Sequence, residues 1–304
     1  YAAVLHLRHW LYDKGILSSA SFNFPLICIG NLALGGTGKT PMTEYVIRHL
    51  GGKYKTATIS RGYKRRTKGF AIAGKDTTAI DIGDEPMQIH RKYPDVVVAV
   101  GEERLVAIPQ LLQERPDTQV IVLDDAFQHR AVKAGLNILL TDFANLYTRD
   151  HLLPTGDRRD IKAAAKRADV IVVTKCKSFL SAQEKELIIE ELTPGKEQTV
   201  LFTGLDYGQP YRMFTGEKTE IHERTEVLLL CGIANPDSLK EYLKNKTSGY
   251  DMIRYRDHHI FTSEDLRDIR QHFEQLKGPE RMILTTEKDA IRLEKFRNDL
   301  ADLP

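Results

Sequence analysis

Apolar residues along this chain follow two alternating patterns. Short runs rich in Val and Ile occur at Pro25 to Gly30, Lys55 to Ser60, Val96 to Gly101, Val120 to Leu123, Asn137 to Asp142 and Asp169 to Lys175; between them, apolar residues recur at helical spacing. Runs that are apolar on both faces predict parallel strands covered on each side by crossover helices. The first two hundred or so residues therefore read as a doubly wound, mostly parallel α/β sheet. Strand-like Gln198 to Tyr207 and Tyr211 to Phe214 flank the turn Gly208-Gln209-Pro210 and predict a short β connector. A second, smaller α/β unit follows, with strands at Glu226 to Cys231, Met252 to Tyr255 and Arg281 to Thr285, and helices at Pro236 to Lys244 and Ser263 to Leu276. The expected organisation is an N-terminal helix in 1–20, a core domain in 21–200, a connector in 201–215 and a small domain in 216–304.

The opening segment puts Ala3, Val4, Leu7, Trp10 and Leu11 on one helical stripe, with His6, Arg8, His9, Asp13 and Lys14 mostly on other faces. Such a stripe packs on a domain or, with a Trp and basic flanks, lies in a membrane interface. No apolar run reaches the roughly 18 residues a membrane-spanning helix needs.

At 304 residues the chain has room for two domains. Its 41% hydrophobic and 28% charged residues exclude a disordered, collagen-like or coiled-coil chain. With 44 Lys and Arg against 42 Asp and Glu, a net charge of +2 argues against a protein that coats nucleic acid, so any basic site is local. Cys28, Cys176 and Cys231 lie far apart without CxxC spacing and read as free thiols of a reducing compartment.

The first strand ends in Gly30-Asn31-Leu32-Ala33-Leu34-Gly35-Gly36-Thr37-Gly38-Lys39-Thr40 and runs into an amphipathic helix. Together these are a P-loop. The backbone N–H groups of Gly35, Gly36, Thr37 and Gly38 cradle phosphates at a helix N-terminus, Lys39 reaches the β- and γ-phosphates, and Thr40 offers its hydroxyl to Mg²⁺. Ala33 stands where the general pattern has its first Gly. The run Val120 to Asp125 places Asp124 and Asp125 at the end of a buried strand, a Walker B arrangement suited to hold Mg²⁺. Lys177 replaces the Asp that a guanine-reading element would carry after Thr174-Lys175-Cys176, which favours ATP.

Further segments have the composition of a site: Ser60-Arg61-Gly62-Tyr63 with the basic loop Lys64 to Lys68, Ile82-Gly83-Asp84-Glu85-Pro86, Arg104, Phe127-Gln128-His129 and Leu153 to Asp160. In the small unit, Asp257-His258-His259 and Thr285-Thr286-Glu287-Lys288-Asp289-Ala290 each follow a strand. The basic cluster at 61–68 suits an anionic substrate or membrane surface and lacks the interleaved aromatics of a nucleic-acid site. Residue chemistry alone leaves three readings open: a kinase, a nucleotide-hydrolysing switch and a nucleotide-binding accessory protein.

In their order, GNLALGGTGKTP, SRGY, GDEP, the Arg of VGEER, LDDAFQH, LLPTGDRRD, GIANP, RDHH and TTEKDAIRL resemble the tetraacyldisaccharide 4′-kinases, the lipid A 4′-kinases of Gram-negative bacteria, over nearly the whole chain. The resemblance implies transfer of the γ-phosphate of ATP to the 4′-hydroxyl of a tetraacylated glucosamine disaccharide 1-phosphate. It implies work at the cytoplasmic face of the inner membrane, with the N-terminal helix meeting a lipid that stays in the bilayer and no obligatory protein partner. It also implies that Asp84 and His258 form a dyad on the sugar hydroxyl, with His259 a bystander, and that Lys39 and Arg104 neutralise the transferred phosphoryl group. Ser60, Arg61, Gln128, His129 and Arg159 are then substrate-supporting positions, Asp160 joins Thr40, Asp124 and Asp125 around the metal, and the small domain closes over the core. Asp160 stands where the family usually has Glu, and Asp157 where it usually has Pro.

Overall fold

The computed structural model describes residues 1–233 and 235–304; Ala234, inside the GIANP motif, lies outside the described residues. The chain divides into two compact units, Tyr1–Leu205 and Asp206–Pro304.

The first unit runs through α1 (Ala2–Asp13), β1 (Ala20–Ser21), β2 (Leu26–Asn31), α2 (Lys39–Leu50), β3 (Thr56–Ser60), β4 (Ala71–Ile72), α3 (Ala79–Ile82), α4 (Asp84–Lys92) and β5 (Val97–Val100). It continues with α5 (Arg104–Glu114), β6 (Val120–Asp124), β7 (Val132–Lys133), β8 (Leu136–Asp142), β9 (Val170–Thr174), α6 (Ala182–Leu192) and β10 (Thr199–Phe202). Eight strands form one sheet in the order β10-β9-β8-β2-β6-β3-β5-β4, parallel except for β4 at the edge. The neighbours β2 and β6 are paired with Ile29 opposite Asp124. Because the pair is parallel, the P-loop and the acidic pair leave the sheet at the same edge, where doubly wound sheets bind ligands.

Burial explains the sheet. Every residue of β6 is buried, as a strand covered on both faces requires. Successive side chains alternate between two cores. Leu26 and Cys28 of β2 join Ile59, Ile121, Leu123 and Phe127 on one face; Ile29 joins Val122, Leu140 and Val172 on the other, with Met42 and Val46 of α2 packed against them. One expectation is corrected here. The start of the predicted connector is β10, which pairs with β9 and completes the large sheet. Its alternation of exposed and half-buried residues is that of an edge strand. Tyr211 keeps an isolated antiparallel bridge to Lys218.

The second unit comprises β11 (Thr225–Cys231), α7 (Asp237–Lys244), β12 (Gly249–Arg254), α8 (Ser263–Gln275), β13 (Glu280–Thr285) and α9 (Glu287–Leu293), followed by short helical turns. Its three strands are parallel, with β11 central. Leu228 and Leu230 of β11 pack with Leu266, Ile269 and Phe273 of α8, while Val227 and Leu229 pack with Leu239 and Leu243 of α7. Among the described residues no helix is long and apolar enough to cross a membrane, and the three cysteines are free thiols.

Candidate active site

The loop after β2 takes a shape that its glycines allow. Gly35 and Gly38 have φ of 93° and 84°, in the left-handed region that L side chains rarely adopt. Gly38 is the N-cap of α2, so Lys39 and Thr40 open its first turn. Neighbouring strands brace the loop: Thr174 Oγ1 donates to the Thr37 carbonyl at 2.9 Å, and Asn31 Nδ2 donates to Thr37 Oγ1 at 2.7 Å. Ala33 forms an antiparallel bridge with Arg158, and Leu34 N donates to the Asp157 carbonyl at 2.7 Å. A residue held in a bridge has no need of glycine's freedom, which accounts for the alanine.

The two aspartates at the end of β6 sit in opposite electrostatic settings. Asp124 is buried and accepts from Thr43 Oγ1 at 3.1 Å. Its burial, reinforced by the nearby Glu85 and Asp125 carboxylates, pushes it up to about 7. Asp125 is also desolvated, yet Lys39, with Nζ 3.9 Å away, and Arg159, which donates to both its oxygens, hold it below the ordinary carboxylate range. Arg104 is only 1% exposed and donates to the carbonyls of Gly101 and Asp124. Burial lowers it to about 10 against the pull of both aspartates. It is a fixed cation behind the acidic pair.

These donors fit Mg²⁺. Carboxylates beside a helix-borne hydroxyl are hard oxygen ligands, and a cation would return the crowded Asp124 to its ionised form. Among the described residues no three or more His, Cys, Asp or Glu form a metal cage. A P-loop cation needs none, since it takes one or two carboxylates and completes its shell with phosphate oxygens and water.

Around this centre the structure places most of the predicted positions. Ser60 ends β3 and accepts from Gly62 N at 3.3 Å, while Arg61 is exposed and close enough to Arg104 and His129 to depress both. Gly62 and Gly83, at φ 70° and 94°, let two turns meet: a Cβ on Gly83 would stand 3.0 Å from the Tyr63 carbonyl. That contact brings SRGY against the start of α4, whose first residues are Asp84 and Glu85. Gln128 Nε2 donates to the Asn31 carbonyl at 2.8 Å. Burial, with Arg104 and Arg61 nearby, pushes His129 down to about 4, so its imidazole is neutral at neutral pH.

Two residues of the centre went unselected in the sequence. Glu85 is near enough to raise Asp124, and its signal was the second carboxylate of GDEP. Asn31 donates to Thr37 and accepts from Gln128 and, through Oδ1 at 2.6 Å, from Arg159. It ties three motifs together from the last position of the P-loop strand.

Asp160, placed at the metal by the resemblance, meets a different set of groups in the structure. Its carboxylate is fully buried. Arg130 donates to His9 Nδ1 at 2.8 Å, which leaves the proton on Nε2 to donate to Asp160 Oδ1 at 2.6 Å. Ile161 N also donates to Oδ1, and Arg167 Nη2 stands 3.5 Å from Oδ2. Further ties hold α1: Tyr1 Oη donates to the Arg159 carbonyl and Arg8 to the Gln128 carbonyl, each at 2.8 Å. The helix buries Leu5 and His9 and leaves Val4, Leu7 and Trp10 50 to 66% exposed. Its apolar stripe thus faces away from the domain.

In the second unit, RDHH follows β12 and TTEKD spans the end of β13 and the start of α9. His258 has φ 62°; its Nδ1 lies 3.1 Å from Arg292 Nη2 and its Nε2 3.4 Å from Lys288 Nζ. His259 is 3.1 Å from Asp265 and stacks on Tyr255, a packing role.

Comparison with known proteins gives a consistent result. The family model for tetraacyldisaccharide-1-P 4′-kinase matches residues 1–302. The chain is 45% identical to the tetraacyldisaccharide 4′-kinase of Flavobacterium johnsoniae over 312 residues, covering 100% of this chain and 88% of that one. It is 43% identical to the tetraacyldisaccharide 4′-kinase of Bacteroides thetaiotaomicron, covering 96% and 80%. The crystal structure of the "apo" form of LpxK from Aquifex aeolicus in complex with ATP matches with a TM-score of 0.75 at 27% identity, covering 97% of this chain and 88% of that one.

Proposed function

The chain belongs to the tetraacyldisaccharide-1-P 4′-kinase family, and from that premise we propose how its residues share the work. It is an ATP-dependent kinase that phosphorylates the 4′-hydroxyl of a tetraacylated disaccharide 1-phosphate in lipid A biosynthesis. The observation that carries the assignment of roles is the cluster at the P-loop edge, where Lys39 and Arg159 converge on Asp125 beside the buried Asp124.

Backbone N–H groups of Gly35 to Gly38 bind the phosphates, and Lys39 leaves its long contact with Asp125 for the β- and γ-oxygens. Thr40 and the Asp124–Asp125 pair would hold Mg²⁺, which would supply positive charge to the transferred phosphate. Arg104 adds a fixed cation behind the pair. The acceptor oxygen attacks the γ-phosphorus as the bond to the β-bridging oxygen breaks, ADP leaves, and Asp84 takes the hydroxyl proton. His258 orients that hydroxyl by a hydrogen bond. Ser60, Arg61, Gln128, His129 and Arg159 position the substrates. The outward Val4, Leu7 and Trp10 of α1 seat the enzyme as a peripheral protein on the cytoplasmic face of the inner membrane, where its lipid resides.

The test is transfer of labelled γ-phosphate from ATP and Mg²⁺ to a tetraacyl disaccharide 1-phosphate in detergent micelles. Wild type, Lys39→Ala, Asp84→Ala and His258→Ala are compared. Transfer that collapses in all three variants, with ATP binding kept in Asp84→Ala, is the expected result. Full turnover in Asp84→Ala or His258→Ala removes that residue from the mechanism.

A further inference from the structure

His258 stands in the left-handed region of backbone space at φ 62°, which a residue with a side chain keeps only when its surroundings hold it. Those surroundings come from TTEKDAIRL. Asp289, fully buried near the start of α9, is the hub. Its Oδ2 accepts from Gly232 N, just beyond β11, and from Thr286 Oγ1, each at 2.8 Å. Its Oδ1 accepts from Arg292 Nη1 at 3.0 Å. Arg292, one turn further along α9, then reaches His258 Nδ1 with Nη2 at 3.1 Å. A strand end, a buried carboxylate, a guanidinium and the imidazole form one connected chain of polar contacts.

The geometry points to Arg292 as a positioning residue that fixes the tautomer and orientation of His258, with Asp289 as its anchor; the inference rests on His258 serving phosphoryl transfer as proposed above. A guanidinium carries donors only, so Nδ1 must accept, and the neutral ring then bears its proton on Nε2. Lys288 approaches the other side with Nζ 3.4 Å from Nε2, but the Asp257 carboxylate takes its ammonium at the shorter distance of 3.0 Å. Asp257 Oδ2, 3.7 Å from Nε2, favours a proton on that nitrogen as well. The neutral ring therefore carries its proton on Nε2. In the other tautomer Nδ1–H would point at a guanidinium N–H, two donors face to face.

Two readouts test this. In the full-length chain labelled with ¹⁵N-histidine, His258 should show an unprotonated Nδ1 and a protonated Nε2 as a single tautomer, and Arg292→Gln should replace it with a mixture. In the micelle transfer assay, Arg292→Gln should lower kcat about 10²-fold, the scale expected when a reacting group is misplaced by about 1 Å, while KM for ATP changes less than about threefold. Arg292→Lys, which offers Nδ1 only a donor where Gln offers either a donor or an acceptor, should recover part of the loss. A protonated Nδ1 in the wild type overturns the inference. Wild-type turnover in Arg292→Gln together with collapse in His258→Ala sinks this inference alone, whereas wild-type turnover in His258→Ala sinks it along with the role of His258.

Discussion

Replacing Asp160 by Asn keeps the size of the side chain and removes its charge. That charge is fully buried, accepts from His9 and Ile161, and faces the Arg167 guanidinium at 3.5 Å. Burial has already pushed Arg167 down to about 10, with Asp160 the main group opposing the shift. Neutralising the carboxylate leaves an uncompensated, largely buried cation. Breaking such a pair costs about 3–5 kcal/mol; since the Arg167 side chain retains 28% exposure, the lower end, about 3 kcal/mol, is expected. At about 2–4 °C of Tm per kcal/mol for a unit of this size, Asp160→Asn should melt roughly 6–12 °C below the wild type. The assay is a thermal melt with and without Mg²⁺, paired with a Mg²⁺ titration of kinase activity in detergent. Asp160 anchors α1 if the melt falls by this amount without Mg²⁺ and adding Mg²⁺ does not restore it. An unchanged melt together with a much higher Mg²⁺ requirement would refute the reasoning and return Asp160 to the metal. His9→Ala completes a cycle, in which the double variant should lose less than the sum of the single losses because both remove one shared contact.

Gly30→Ala would place a Cβ 2.6 Å from Phe127 Cβ and 2.9 Å from Phe127 N; the overpacking should cost about 3 kcal/mol in denaturant melts, and wild-type stability would show that the two segments separate freely. His129 binds a proton near 4 when folded and near 6.5 when unfolded, so its contribution to stability is complete above 6.5 and is lost as pH falls towards 4. His129→Gln should flatten that limb of stability against pH, and an unaltered limb would place the titration elsewhere. Leu7→Glu combined with Trp10→Glu alters exposed positions, so stability should stay within about 0.5 kcal/mol while binding to anionic vesicles falls at least about tenfold; unchanged vesicle binding would remove α1 from the interface.

The chemistry that lies close together in sequence was the part that could be read in advance. Val120 to Leu123 had to be a covered strand because it is apolar on both faces, and Gly35 to Thr40 needed only its spacing. β10 could not be assigned to its sheet, because alternation describes a free connector strand as well as an edge strand, and its partner β9 lies across α6. Asn31, Glu85 and Arg292 each lie inside a motif, but their contacts are made only by the fold, so the motif alone did not single them out. Asp160 shows the limit most clearly. Its motif fixed its place in the chain, but its contact with His9, 151 residues away, is made only by the fold.

The N-terminal helix reverses the usual logic of an amphipathic helix, and the reversal has a physical reason. Its inner face is held mainly by polar groups: His9 on Asp160, Arg8 on the Gln128 carbonyl and Tyr1 on the Arg159 carbonyl. Hydrogen bonds of this kind are directional and fix the helix at one angle, which a purely apolar contact would not do. The outer Val4, Leu7 and Trp10 are then left in water, and moving each exposed half into a bilayer interface gains about 1 kcal/mol. A sum of about 3 kcal/mol would make the proposed membrane contact weak and reversible. Two of the carbonyls that pin the helix belong to Gln128 and Arg159, whose side chains meet Asn31, with Arg159 also gripping Asp125. The helix proposed to meet the lipid surface is therefore braced on the same residues that set the acidic pair beside the P-loop.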